Sequence, residues 1–143
     1  MEIGVIGIGV VGSAVKFGFE RLGHDVSYHD TIKNTSIVDV LHTQVCYICV
    51  PTPANEDGSC DTSIVESVLD ELVEHQYAGI ACIKSTVIPG TTERLQKKFR
   101  ALAFVPEFLR ERCAITDFIQ NHEVCIIGTD NNDFFDVIKQ SHG

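Results

Sequence analysis

Positive charge and long apolar runs are both scarce in this sequence. Its 143 residues include 11 lysines and arginines against 20 acidic residues, which gives a formal net charge of −9. Such a chain has no excess of cations to neutralise nucleic-acid phosphates, so we expect no nucleic-acid partner. No apolar run reaches the roughly 18 residues of a membrane-spanning helix. Glu2 stands where a signal peptide has basic residues, and we expect no membrane partner.

Cysteines are more numerous, but their positions argue against crosslinks and metal sites. Cys46, Cys49, Cys82 and Cys125 lie in apolar runs, where a free thiol behaves as a small buried hydrophobic side chain. Cys46 and Cys49 have the spacing of a redox pair, but they fall inside a predicted strand. No second pair exists and the six histidines are scattered, so we expect neither disulfides nor a metal. Free thiols are typical of a reducing compartment, and we expect a cytoplasmic protein.

The order of apolar segments predicts the fold class. The length suits one domain, and apolar runs typical of buried strands alternate with stretches typical of helices. We predict strands at 3–7, 26–29, 45–50, 80–83, 102–105 and 124–127. We predict helices at 10–22, from Ser63 onward with Glu66 completing a capping box, at 91–100, and from a cap at Asp130 or Asn131 to about residue 139. The alternation predicts one α/β domain over 1–143, a doubly wound parallel sheet with helices on both faces.

A glycine-rich run follows the first predicted strand and opens the first predicted helix. The sequence GIGVVG at 7–12 matches the pattern G-x-G-x-x-G. Gly7 permits a tight turn, Gly9 lets a pyrophosphate approach the backbone, and Gly12 lets the helix pack close to the strand. The helix N-terminus then favours the anion. This context predicts a Rossmann-type dinucleotide-binding domain in which the cofactor contacts Gly7, Gly9, Val10, Val11 and Gly12.

The acid that such a site requires is Asp30. It lies 18 residues after Gly12, near the end of the second predicted strand, where a carboxylate accepts hydrogen bonds from the adenosine ribose. A carboxylate there repels the additional phosphate of NADP, and no arginine follows it closely, although Lys33 is near. We therefore expect NAD as the cofactor. The alternative is a purely structural glycine turn with Asp30 as a loop cap.

Three further runs, together with the glycine loop, carry a resemblance to a known family. They are VPTP at 50–53, KSTVIPGTT at 84–92 and PEFLRE at 106–111, and Asp57, Gly58 and Asp61 match a recurrent loop. In order and spacing the chain resembles the N-terminal NAD-binding domain of the UDP-glucose/GDP-mannose dehydrogenase family over residues 1 to about 128. The resemblance implies an NAD-dependent oxidoreductase that oxidises a UDP- or GDP-sugar to the uronate, through a cysteine thioester.

The resemblance also implies roles for individual residues. Thr86 would position water or substrate beside the nicotinamide, and Glu107 would act as general base or orient a water. The substrate would contact Glu107, Leu109 and Glu111, and the cofactor cleft would include Pro51, Thr52, Ser85 and Thr86. The alternatives are that Thr86 only caps the turn before Pro89 and that Glu107 is a surface acid. Arg110 and Arg112 are expected to be solvated charges or loop anchors, with substrate binding as the alternative.

The sequence also departs from the family pattern. Val105 and Arg112 stand where many members have Asn and Gly. The family's central helix, its C-terminal domain and its nucleophilic cysteine lie beyond these residues, and Cys113 and Cys125 lack that cysteine's context. We expect the chain alone to be inactive, with a C-terminal catalytic portion as a possible partner. The alternatives are a stand-alone NAD-binding or regulatory module, or the cofactor domain of a β-hydroxyacid-type dehydrogenase. A homodimer could cover an apolar face formed by Phe134, Phe135, Val137 and Ile138.

Overall fold

The sheet is built from five short strands. A computed structural model describes residues 1–143. The strands are β1 (Glu2–Ile6), β2 (Asp25–His29), β3 (Val45–Ile48), β4 (Ile80–Ile83) and β5 (Leu102–Phe104). Every residue of β3 and β4 is buried, as both faces of a parallel sheet require.

Five α-helices connect or follow the strands. They are α1 (Val10–Arg21), α2 (Ser63–Glu74), α3 (Thr91–Leu95), α4 (Ala114–Ile119) and α5 (Asn132–His142). Two short 3₁₀ turns, Ile37–Val40 and Glu111–Cys113, lie in the connections. None of these helices is both long enough and apolar enough to cross a membrane.

The strand order places a ligand crevice beside β1. The sheet runs β2-β1-β3-β4-β5 and all neighbours are parallel. Ile3 of β1 is aligned with Val26 on one side and with Val45 on the other. The chain therefore reverses its direction of travel across the sheet between β1 and β3. Open α/β sheets bind ligands at the carboxyl ends of the strands at such a reversal.

Apolar side chains cover both faces of the sheet. One face packs against α2, α3 and the first 3₁₀ turn, through Val65, Leu69, Leu72, Leu95 and Val40. The other packs against α1, α4 and α5, through Val15, Phe19, Phe118 and Ile138. Alternate residues of β3 serve the two faces, since Cys46 and Ile48 join the first cluster while Val45 and Tyr47 join the second. The prediction of a doubly wound sheet with helices on both faces is confirmed.

Five of the six predicted strands are confirmed, and the sixth is wrong. The residues of 124–127 form no strand, and Val124 and Ile126 are 60% and 45% exposed. Only Gly128 pairs with the sheet, through two backbone hydrogen bonds in an antiparallel bridge with Phe104. An apolar run forms a strand only where a neighbouring strand can hydrogen-bond to it. Strand β5 has only three residues, and one of them, Phe104, pairs with Gly128 at the end of this run.

The helix predictions need smaller corrections. The capping box at Ser63 is wrong, because Thr62 precedes α2 and its hydroxyl donates to Glu66 at 2.9 Å, while Arg94 of α3 donates to the same carboxylate. The helix expected over 91–100 ends as an α-helix at Leu95. Helix α4 is not predicted at all. Asn131 caps α5 by accepting bonds from the Asp133 and Phe134 amides.

Two expectations about exposure also change. Ile138 is fully buried, and Phe134 and Val137 pack against the core, so Phe135 is the one exposed member of the expected apolar face. The face proposed to form a homodimer is therefore mostly turned inward. Cys125, expected to be buried, is exposed because its segment forms no strand.

Candidate functional site

Strand β1 leads directly into a tight turn. Gly7 has a φ of +89°, in the left-handed region that favours glycine. A Cβ on Gly7 would lie 2.9 Å from the carbonyl oxygen of Cys49, just beyond β3. The turn predicted at Gly7 is therefore present, and a larger residue would collide with the backbone of the neighbouring strand segment.

The other two glycines of the loop have opposite surroundings. A Cβ on Gly12 would overlap the carbonyl oxygen of Gly7, so α1 can lie this close to β1 only with glycine there. Gly9 precedes α1 and is exposed, with no atom within 4 Å of the position that a Cβ would take. Gly12 thus serves packing, whereas Gly9 leaves open space over the backbone.

The start of α1 offers unoccupied hydrogen-bond donors. The amides of Val10, Val11 and Gly12 form the first turn, where no preceding helical carbonyl can accept from them. No side chain caps this end, and the first turn contains no acidic residue. The amides and the positive end of the helix dipole can together hold an anionic group such as a phosphate.

Asp30 connects the end of β2 to the glycine loop. Its Oδ2 accepts a hydrogen bond of 2.6 Å from the Ile8 amide, and its Oδ1 accepts one of 2.8 Å from the Ile32 amide. The bond from Ile8, and then that from Ile32, hold the pKa of Asp30 below its usual range. The carboxylate therefore stays charged at the edge of the crevice. The loop-capping contact that we considered as an alternative is present.

The segments after β3 and β4 are joined by side-chain hydrogen bonds. Thr52 donates its hydroxyl to the Thr86 carbonyl at 2.6 Å, and the Ser85 hydroxyl donates to the Val50 carbonyl at 2.6 Å. Ser85 is buried, whereas Thr86 and Pro51, the residue before Thr52, are exposed. The buried Ser85 and the Thr52 hydroxyl therefore hold the two segments together, and Thr86 is exposed beside them.

The segment after β5 brings Glu107 to the same edge. One carboxylate oxygen of Glu107 accepts a hydrogen bond of 2.8 Å from the Leu109 amide. Both residues are half-buried. The bond leaves the second carboxylate oxygen available, as a general base requires.

A charge network behind this segment was missed by the sequence analysis. Asp117 of α4 is buried, and it accepts hydrogen bonds from the Arg110 amide, from Nε and Nη2 of the same arginine, and from Asn121. The guanidinium holds the pKa of Asp117 well below its usual range. Arg110 is thus a loop anchor, one of the two alternatives left open for it. The sequence does show an acid, Asp117, seven residues after Arg110. No spacing rule distinguishes such an acid from one on the protein surface.

Not all of the predicted site residues come together. Gly7, Asp30, Thr52, Ser85 and Thr86 lie at one edge of the sheet and are linked by the contacts above. Glu107 and Leu109 follow β5 at that same edge. Glu111 instead lies exposed in a 3₁₀ turn and makes no side-chain hydrogen bond.

The two cysteines nearest this segment are not activated thiols. Burial raises the pKa of Cys113, and the hydrogen bond to Asp117 raises it further. Cys125 is an exposed residue, but partial burial of its thiol still raises its pKa, against the opposing influence of Lys84. A nucleophilic thiol has a lowered pKa, so the environment of each disfavours the thiolate.

Comparison with known proteins agrees with the geometry. Residues 31–142 match the family model described as "UDP-glucose/GDP-mannose dehydrogenase family, NAD binding domain". The match begins just after Asp30, so the glycine loop is additional to it. This match supports the family interpretation over a β-hydroxyacid-type cofactor domain.

Individual relatives point the same way. The UDP-glucose 6-dehydrogenase AglM of Haloferax volcanii is 24% identical, over 98% of this chain and 44% of that protein. The UDP-glucose 6-dehydrogenase of Pseudomonas aeruginosa is 38% identical, over 68% of this chain and 24% of that protein. The solved structure of a UDP-glucose dehydrogenase from Pyrobaculum islandicum superimposes with a TM-score of 0.88 at 26% identity, covering 99% of this chain and 43% of that one. The chain thus spans less than half the length of these relatives, and it belongs to the UDP-glucose/GDP-mannose dehydrogenase family as an NAD-binding domain.

Proposed function

We propose that this chain binds NAD at the carboxyl edge of its sheet, in the crevice between β1 and β3. The pyrophosphate lies over Gly9 and against the free amides of Val10, Val11 and Gly12. Asp30 accepts hydrogen bonds from the adenosine ribose with the oxygen lone pairs that Ile8 and Ile32 leave free. The observation that carries the proposal is the uncapped start of α1 directly beside a charged carboxylate.

The same carboxylate favours NAD over NADP. A phosphate on the ribose would face a charge that two backbone amides keep ionised. Repulsion between like charges at close range disfavours that complex. Lys33 contributes an opposing cation near Asp30, but it makes no ion pair with it.

We further propose that the cleft extends across Pro51, Thr52, Ser85 and Thr86 to Glu107. Thr86 and Glu107 then act beside the nicotinamide, as positioning hydroxyl and as general base, and Leu109 and Glu111 contact the substrate. The substrate class is a nucleotide sugar, oxidised to the uronate. The covalent step needs a nucleophilic thiol, which the cysteines described above do not supply. The chain is therefore active only together with a C-terminal catalytic portion.

Amide NMR during an NAD titration tests the cofactor site. Shifts concentrated in residues 7–12, 30–32, 50–53, 84–87 and 106–109 support the proposal, while shifts centred on other residues would contradict it. Asp25→Ala serves as a matched control for Asp30→Ala, because Asp25 is an exposed carboxylate at the opposite end of β2.

A turnover assay tests whether the chain needs a C-terminal catalytic portion for activity. We expect no NADH from the chain with UDP-glucose, UDP-N-acetyl sugars or GDP-mannose. Addition of the separately expressed C-terminal portion of a family member should restore turnover, and Glu107→Gln should abolish the restored activity. NADH formation by the chain alone would refute the proposed need for a C-terminal portion.

A further inference from the structure

A second cavity lies on the other side of the molecule from α2 and α3. It has a volume of about 730 Å³, is open to solvent on one side, and is lined by residues of α1 and α4, by residues 121–125 and by His142 of α5. None of its lining residues belongs to the glycine loop, Asp30, the segment 50–53 or Thr86. Pro106, Glu107 and Leu109 do line it, so it adjoins the segment after β5 but is separate from the nucleotide crevice.

A buried lysine without an acidic partner lines this cavity. Lys84, directly after β4, is 3% exposed. Its ammonium donates one hydrogen bond, to the Val105 carbonyl at 3.2 Å, and no carboxylate oxygen lies within 4 Å of it. An ammonium group has three donors, and a buried charge without a counterion is costly. Burial lowers the pKa of Lys84, against the opposing influence of nearby groups that include Glu107.

A second residue of the cavity lining, His142, has a buried polar atom without a partner. Nε2 of His142 is the one buried side-chain nitrogen or oxygen without a hydrogen-bond partner. Its Nδ1 lies 3.0 Å from the Ile138 carbonyl, which fixes the ring. The His142 ring lies 5.9 Å from that of Tyr47, and the Lys84 ammonium lies 5.8 Å from the same ring. Lys84 and His142 thus both lie beside Tyr47, and both line the cavity.

The remaining walls combine aromatic and aliphatic surface with several charged residues. Phe19, Leu22 and Phe118 supply apolar surface. Asp117 is paired with Arg110, and one oxygen of Glu107 is occupied by an amide. Glu123, His122 and Arg21 are exposed residues of the lining. An apolar pocket with a few convergent polar groups is typical of small-molecule sites.

We propose that this cavity binds a small organic monocarboxylate with an apolar or aromatic body. The carboxylate accepts hydrogen bonds from the Lys84 ammonium, and the apolar body packs against Leu22 and Phe118. A monocarboxylate suits the site better than a phosphate dianion, because the lining offers one buried ammonium and also holds the carboxylates of Glu107, Asp117 and Glu123. The proposal does not rest on the cofactor function proposed above.

Phenylacetate and its uncharged analogue phenylacetamide are suitable probes. We expect saturable binding of phenylacetate by the full chain in calorimetry, and binding of the amide weaker by about ten-fold or more, since charge-assisted hydrogen bonds are the stronger ones. Lys84→Met should reduce phenylacetate affinity by a similar factor and remove the preference for the acid. Lys139→Met, at an exposed lysine of α5, should change neither.

Three further readouts decide the location. Unfolding midpoints show whether Lys84→Met keeps the fold, and if it does not, amide NMR of the unmodified chain provides the test. Probe-induced shifts should fall on α1, α4 and residues 121–125, and saturating NAD should not displace the probe. Absence of saturable binding, equal affinity for acid and amide, or displacement by NAD would each overturn the proposal.

Discussion

The glycine loop and the segment after β5 lie at the same edge of the sheet, but they keep their shapes for different reasons. The glycine loop is fixed by backbone contact, because Cβ atoms at Gly7 or Gly12 would meet backbone atoms. The segment after β5 is fixed by side-chain charge, through Arg110, Asp117 and Asn121. Close packing of backbone atoms does not depend on pH or salt, whereas the strength of a partly exposed ion pair depends on both. The cofactor end of the site is therefore the rigid end, and the proposed substrate end is the adjustable one.

The largest effect is expected from Gly12→Ala. The new methyl group would overlap the Gly7 carbonyl, which cannot rotate away as a side chain can. Overpacking of this kind costs about 1–3 kcal/mol or more. We expect a clear fall in the free energy of unfolding, measured in urea, together with loss of NAD binding.

Gly9→Ala is the matched control for that change. The position has free space and a negative φ of −84°, so the fold should keep its stability. NAD affinity should nevertheless fall, because the methyl group occupies the space proposed for the pyrophosphate. Equal stability of the two variants would contradict the distinction between packing at Gly12 and ligand access at Gly9.

Next in size is the effect of Asp117→Asn. The substitution keeps the shape of the side chain but removes the charge that Arg110 binds in a bidentate manner. Hydrogen exchange should accelerate over residues 106–121 and remain unchanged over residues 7–12.

Salt tests the same ion pair without a substitution. At about 1 M salt, where the Debye length is about 3 Å, hydrogen exchange over residues 106–121 of the unmodified chain should also accelerate. Asp136→Asn, at an exposed acid of α5, should have no such effect; equal acceleration in both regions would show that the segments are not held independently.

A smaller effect is expected from pH, through His142. Burial lowers the pKa of His142 below its ordinary value of 6.5. The unfolded chain therefore takes up this proton first, and stability present above about pH 6.5 is lost as the pH falls toward the lowered value. The urea midpoint should fall between about pH 7.5 and about pH 5.5. His142→Phe should flatten this dependence, whereas His42→Phe, at an exposed histidine, should preserve it.

The same comparison explains how much the sequence could predict. Local sequence determines the positions of the first five strands and of Gly7, Gly12 and Asp30 in the fold. Apolar runs and the spacing of the glycines were therefore sufficient to predict these positions. The network around Asp117 joins residues by side-chain contact that has no periodic signature. The run 124–127 has the composition of a strand, but no pattern states how much edge β5 offers it. Nor could the sequence show that Ile8 donates to Asp30, or that Lys84 is buried without a counterion.

Calorimetric titration with NAD and NADP, on the unmodified chain and on Asp30→Ala, tests the central claim most directly. We predict that NAD binds more tightly than NADP, and that Asp30→Ala weakens NAD by about ten-fold and reduces the preference, because the ribose contact and the repulsion both come from that carboxylate. Asp25→Ala should behave like the unmodified chain. Equal affinity for the two dinucleotides, or NAD affinity unaffected by Asp30→Ala, would contradict the assignment of the crevice between β1 and β3 as a site for NAD.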